Sequence, residues 1–245
     1  ISTMCCRRTR ARIWIFLQDG AAPSCRATTI EPAVAEYTLY CFAQSGNAYK
    51  PALMLALCGA DWAPKWVDFF NGETRSPAYR SNVNEMGEVP VLEHGARRLA
   101  QSGVILHYLA EQFGRFGAKD DDERREILRW ILWDNHKLTS YIATLRYLVH
   151  LTKTGEPQVH EFLRGRVKGA LGILNGHLHS RPFALGERPT IADLSMCGYL
   201  YWPDEFGASW ADFPAIGAWL ERIRAQPGWV HPYQLMPGHP LPAKA

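Results

Sequence analysis

The chain has 245 residues, of which 21% are charged and 47% apolar, a globular rather than disordered composition with length enough for one or two domains. Its net charge is +3, and much of that excess sits in residues 1–36, where Arg7, Arg8, Arg10, Arg12 and Arg26 face only Asp19, Glu31 and Glu36. The rest is close to neutral, which argues against the basic stripe of a nucleic-acid binder and the Lys/Arg-rich helix of a membrane-surface protein.

In chain order, residues 1–36 come first and are expected to be a disordered extension outside the domains. Their apolar stretch, Ile13 to Leu17, is shorter than the ~7–15 residues of a secretory core. No apolar run anywhere approaches the ~20 residues of a membrane span, so no membrane partner is expected.

From Tyr37 the pattern is short and mixed. YTLYCF (37–42) reads as a strand, AYKPALMLALCGA (48–60) as a helix and WAPKWVDFF (62–70) as a strand. A polar stretch follows, then two strands around the His94-Gly95 turn within VPVLEHGARRLAQ, and a helix over 102–114 that ends at Gly114. A strand-helix-strand start predicts a parallel pair, and the later hairpin adds an antiparallel one.

FGAKDDDE (116–123) reads as a linker, and everything after it is helical. Ile127, Ile131, Leu138, Ile142, Leu145 and Val149 form one amphipathic stripe, and Val159, Leu163, Val167, Leu171, Leu174 and Leu178 form another. RPTIADLSMCGYLYW predicts a shorter helix and FPAIGAWLERIRAQPGW a last one. The expected layout is an α/β domain over 37–115, an all-α domain over 122–235 and a tail over 236–245.

Pro90 stands between two valines at the head of an apolar run. Proline cannot donate to a sheet ladder, so it belongs at a strand's start or edge, or in a tight turn. A cis bond would leave Val89 extended, its N–H and C=O free to pair with a peptide as an added strand does. A trans proline opening an edge strand is the competing reading. Gln101-Ser102 then opens a helix, with Ser102 a favourable N-cap and the free N–H groups behind it suited to a carboxylate.

GEVPVL followed by QSGVILHYL resembles the glutathione-binding half of the cytosolic glutathione transferases, whose pattern is a cis Val-Pro bond and then a Glu/Gln-Ser pair. RPTIADLSMCGYL resembles the same family's capping box, with Thr190 and Asp193 bonding reciprocally. The resemblance spans about residues 37–235. It implies a thioredoxin-like first domain with a mixed four-stranded sheet, a helical-bundle second domain, a cytoplasmic homodimer, and glutathione as co-substrate, bound by Val89, Pro90, Gln101 and Ser102.

The same resemblance places the catalytic donor in the turn CFAQSGNAYK. Ser45 stands where serine-type members carry their hydroxyl, and the spacing from Ser45 through Asn47 to Lys50 resembles the bacterial Nu class. The competing reading makes Asn47 the N-cap of the first helix and Ser45 a turn residue. Conjugation to a small hydrophobic electrophile is the leading activity. Disulfide or peroxide reduction, or glutathione binding without catalysis, are the alternatives. Trp130, Trp133 and Tyr141 are expected to line the second-substrate pocket.

Cysteine chemistry offers no competitor. The six cysteines include no CxxC and no Cys/His pairing at zinc spacing, so reduced thiols and no metal are expected. Glu88 is left out of the expected site, because its carboxylate would repel an anionic tripeptide.

Overall fold

The computed structural model describes residues 35–241. The extension expected over 1–36 therefore lies, apart from Ala35 and Glu36, outside the described residues. Four strands form one sheet: β1 (Tyr37–Cys41), β2 (Trp62–Trp66), β3 (Val91–His94) and β4 (Arg97–Ala100), in the order β2-β1-β3-β4. β1 pairs with β2 in parallel and with β3 antiparallel, and β3 pairs antiparallel with β4. Pro64 is tolerated because β2 is an edge strand, where a missing N–H leaves no ladder partner unpaired.

β2 stops four residues short of the expected end. Val67 N–H still reaches the Cys41 carbonyl at 3.1 Å, and then Asp68 turns the chain, its backbone N–H donating to Glu73 and its carboxylate accepting from Asn71. This side-chain competition for the backbone ends the strand. It also turns Phe69 and Phe70 out of the sheet to meet Phe42, with the Phe42 and Phe69 rings stacked at 4.8 Å.

Ten helices follow in chain order. Those of the first domain are α1 (Gly46–Cys58), α2 (Pro77–Asn82) and α3 (Ser102–Phe113). α3 ends as expected on a left-handed Gly114 at φ 60°, whereas α1 stops at Cys58 on a left-handed Gly59 at φ 65°, short of the expected end at residue 60. Leu53 of α1 and Ile105, Leu106 and Leu109 of α3 are fully buried in the core. Each such side chain stabilises the fold by roughly 1.5–3 kcal/mol relative to exposure.

The helical domain contains α4 (Asp121–Trp133), α5 (Thr139–Arg146), α6 (Pro157–Leu178), α7 (Ile191–Met196), α8 (Pro203–Phe206), α9 (Pro214–Arg224) and α10 (Pro232–Leu235). The acidic run expected to be linker is the first turn of α4. Asp120 caps it by accepting from the Glu123 N–H at 2.7 Å, and Asp121 and Asp122 pair with Arg124 and Arg125 one turn on. Acidic side chains at a helix N-terminus are favoured by the dipole, which a reading by composition alone overlooks.

Wider π-helical turns interrupt the helical path at Asp134–Leu138 and Tyr147–Thr152. Each advances the helical phase relative to a 3.6-residue repeat. Most of the predicted stripes supply the core: Ile127, Ile131, Leu138, Ile142 and Leu145 are buried, as are Leu163, Val167, Leu171, Leu174 and Leu178, whereas Val149 is only partly buried and Val159 is exposed. The Thr190–Asp193 capping box is present, and the buried Asp193 carboxylate also accepts from the Ala184 N–H at 2.8 Å and the Trp219 indole at 2.9 Å.

The segment after α10 does more than the word tail implies. Pro237 accepts a hydrogen bond from the Ala43 N–H at 2.7 Å, and Gly238 accepts one from the Gln44 amide at 2.9 Å. His239 stacks on Tyr233 at 3.7 Å. The chain end thus lies against the loop between β1 and α1. Among the described residues no helix is long and apolar enough to cross a membrane.

Candidate functional site

A crevice of about 590 Å³ opens where the first domain meets α4 and α5. Ser45, Asn47, Val89, Pro90, Gln101 and Ser102 all line it, so residues spread over nearly sixty positions share one wall. Leu132, Asn135, Thr139 and Ser140 line it from the helical domain. Trp130, Trp133 and Tyr141 do not. Trp130 packs edge-on against Trp133 at 5.3 Å and over His177 at 4.3 Å, and Tyr141 is half-buried against the core. Leu132 near the end of α4 and Asn135 in the π-helical turn that follows face the crevice instead.

The Val89–Pro90 bond is cis. Among the described residues the Val89 N–H and C=O have no hydrogen-bond partner, so this stretch of main chain can pair with an extended ligand. Its approach is held from behind by the Glu88 carbonyl, which accepts from the Tyr79 hydroxyl and the Asn84 amide, both at 3.0 Å.

Ser102 departs from its expected place. Gln101 is the N-cap residue, in a left-handed conformation at φ 69° that is unusual for a side chain of its size, and Ser102 is the first residue of α3. The Ser102 hydroxyl is thereby freed from capping and lies buried in the crevice wall. Glu88, omitted from the expected site, also lines it, and its carboxylate accepts from the Gln101 amide at 3.0 Å. The expectation set Glu88 aside on charge repulsion alone, and its position in the crevice wall corrects that.

At the far end, Ser45 is the N-cap of α1 and its Oγ accepts from the Ala48 N–H at 3.1 Å. A hydroxyl that accepts in its cap keeps its own proton to donate. Asn47 is the second residue of the helix, not its cap, and its buried Oδ1 has no partner. The two residues that competed for one role therefore hold separate positions a few atoms apart.

Lys50, one turn along α1, does not enter the crevice. Its ammonium is fully buried and donates to Asp134 at 2.8 Å, Asn135 at 3.2 Å and Thr139 at 3.1 Å. Asp134 accepts in turn from Thr139 at 2.8 Å and Ser195 at 2.6 Å. Every proton of the ammonium has an acceptor, the condition under which a buried charge is tolerated. This network joins α1, the π-helical turn and α7, and so sets the width of the crevice. Arg146, equally buried, does the same beneath the loop, donating to the Gln44 carbonyl at 2.6 Å and to Glu205 at 2.7 Å.

A second hollow of about 710 Å³ adjoins the first, and Phe42 and Phe69 line both. Its wall mixes the aromatic and apolar side chains of Trp66, Phe70, Tyr147 and Leu151 with polar Gln44, Asp68, Asn71 and Thr152. Among the described residues no cysteine lines either cavity. Burial pushes the Cys41 thiol up to about 12, and it raises Cys197 further, so neither offers a thiolate near neutral pH. Among the described residues no group of three His, Cys, Asp or Glu side chains suits a metal ion.

Comparison with known proteins bears directly on this geometry. Residues 35–111 match the family model for the glutathione S-transferase N-terminal domain, and residues 139–227 match that for the C-terminal domain. Glutathione S-transferase F14 of Arabidopsis thaliana is 29% identical over 207 residues, covering 76% of this chain and 81% of that one. The disulfide-bond oxidoreductase YfcG of Escherichia coli (strain K12) is 26% identical over 193 residues, covering 76% and 89% respectively. The crystal structure of a possible glutathione S-transferase from Rhodopseudomonas palustris superposes with a TM-score of 0.75 at 32% identity, covering 81% of this chain and 98% of that one.

Proposed function

Because this chain belongs to the glutathione S-transferase family and is a glutathione transferase, we propose that its crevice holds glutathione along Val89–Pro90, with the sulfur at Ser45 and Asn47. The free Val89 main chain pairs with the tripeptide as a strand would. The Ser102 hydroxyl and the N–H groups opening α3 receive a carboxylate. Glu88 and the Gln101 amide oxygen suit the one cationic group of the ligand, its α-ammonium, which turns the expected repulsion into a fit.

A free thiol with a pKa of ~8.5 is mostly protonated at neutral pH, and only the thiolate attacks. The Ser45 hydroxyl and the Asn47 amide favour the charged form by donating to it. The thiol proton leaves to water. The sulfur then forms a bond to the electrophile's carbon, and the bond to the leaving group breaks with its electron pair going to that group. The aromatic hollow beyond Phe42 and Phe69 receives the apolar electrophile and replaces Trp130, Trp133 and Tyr141 in that role.

One observation carries this reading: a serine hydroxyl with its proton still available stands in the same crevice as an unpaired stretch of main chain. Calorimetric titration with glutathione and turnover of an aryl halide test it. Ser45→Ala is expected to retain binding and lose about a hundredfold in turnover. Wild-type turnover in both Ser45→Ala and Asn47→Ala would sink the assignment. Retention of glutathione without turnover of any substrate would leave only a binding module.

Similarity to YfcG, together with Asn47 beside Ser45, favours one second reading, glutathione-dependent disulfide reduction. There the thiolate attacks a disulfide sulfur, one thiol leaves, and a second glutathione resolves the mixed disulfide to give oxidised glutathione. Consumption of two glutathiones per disulfide, with no aryl halide turnover, would select it. A homodimer is proposed with either reading, since Val104, Leu128 and Leu132 are exposed on neighbouring helices and a second copy would cover them. A reducing, cytoplasmic setting accords with the free cysteines Cys41, Cys58 and Cys197.

A further inference from the structure

One more polar side chain reaches the place where Ser45 and Asn47 meet, and it comes from the other domain. Tyr199 follows α7 in a short 3-10 turn, is only 8% exposed and lines the crevice. Its ring lies flat against the first residue of α1. A Cβ added at Gly46 would come within 2.3 Å of the ring, so Gly46 is required for the approach. Gly198 closes the same contact from the other side, where an added Cβ would lie 2.7 Å from the Gly46 carbonyl. The first turn of α1 and the turn bearing Tyr199 are thus pressed together by two glycines.

This contact brings the phenol oxygen to the head of α1. Ser45 and Asn47, the residues on either side of Gly46, line the same crevice as Tyr199. A phenol that holds its proton has one O–H to donate. Among the described residues no acceptor takes that proton, and the open direction is the crevice. Burial raises the phenol's pKa, against the opposing pull of Arg146, so the group holds its proton near neutral pH.

Resting on the glutathione reading, we infer that the Tyr199 hydroxyl is a third donor to the glutathione sulfur, supplied by the helical domain beside Ser45 and Asn47. Tyr199 contributes a hydrogen bond and not a proton transfer, since the thiol proton goes to water as before. An electrophile-specific role is not required, and the effect belongs to thiolate formation itself.

Tyr199→Phe keeps the ring against Gly46 and removes only the hydroxyl. The ultraviolet absorbance of the thiolate, followed against pH in the glutathione complex, should show the bound thiol's pKa rising by about one unit. Turnover below that pKa should fall about tenfold, with glutathione affinity little changed. A purely structural residue would instead weaken binding and leave the thiol's pKa where it was. A glutathione-bound crystal structure of the wild type gives a second measure that does not depend on the variant folding: Tyr199 Oη is expected within hydrogen-bond reach of the sulfur. An unchanged thiol pKa in a variant that binds glutathione, or a sulfur out of reach of Oη, overturns the inference and leaves the function standing. Failure of the wild type to bind glutathione at all overturns both.

Discussion

Replacing Lys50 by Met tests the tie between the two domains. Met keeps most of the aliphatic stem, which packs against Gly198, and removes only the ammonium. The Asp134 carboxylate, 0% exposed, then loses its single cationic partner and retains only the Thr139 and Ser195 hydroxyls. Breaking a buried pair in this way costs about 3–5 kcal/mol, because the remaining charge is uncompensated. Against a total stability of about 5–15 kcal/mol that is a large fraction. At roughly 2–4 °C per kcal/mol for a domain this size, the midpoint of thermal unfolding should drop by about 6–20 °C. Urea unfolding of Lys50→Met, Asp134→Leu and the double variant closes a cycle. The double variant leaves two hydroxyls without an acceptor but no buried charge, and is expected to be more stable than either single variant. Losses that simply add, or a single-variant loss under about 1 kcal/mol, would refute the reasoning.

Three further outcomes follow from the same structure. Gly198→Ala should displace the first turn of α1, costing about 1–3 kcal/mol in urea unfolding and lowering turnover through Ser45. Asp193→Ala leaves the Ala184, Thr190 and Trp219 donors buried without an acceptor, at about 1–3 kcal/mol each, and should be among the most damaging single changes by the same assay. His107 and His231 are held below the ordinary histidine pKa, chiefly by burial. In acid the unfolded chain therefore binds protons that the folded one refuses, so stability should fall as pH drops below about 6.5. His107→Gln combined with His231→Asn should flatten that slope in urea midpoints measured across the range, and an unchanged slope would exclude both residues as its source.

Much of the site was legible because it rests on local chemistry. Pro90 and the Gln101-Ser102 pair announced a break in the backbone and a helix opening, and these fall in one wall with Ser45 and Asn47. The pattern of four strands and the buried stripes of α4 to α6 were readable for the same reason, since alternation and 3.6-residue spacing are local. What failed was phase. A periodic reading does not say which side of α4 meets the crevice, and that side carries Leu132 rather than Trp130 or Trp133. Lys50 hid its role because its partners lie more than eighty residues away. Tyr199 looked like one more aromatic in an apolar helix, and only its packing on Gly46 distinguishes it.

The loop that presents Ser45 is not self-supporting. Gln44 is held by a carbonyl 194 residues further along, and the neighbouring Ala43 by the residue before it. Proteolytic nicking after α10, or a bulky fusion joined close behind Leu241, would accordingly slacken the loop while the core remained intact. Activity would then decline well before any change in melting behaviour, so a preparation judged sound by its unfolding curve could still be an impaired catalyst.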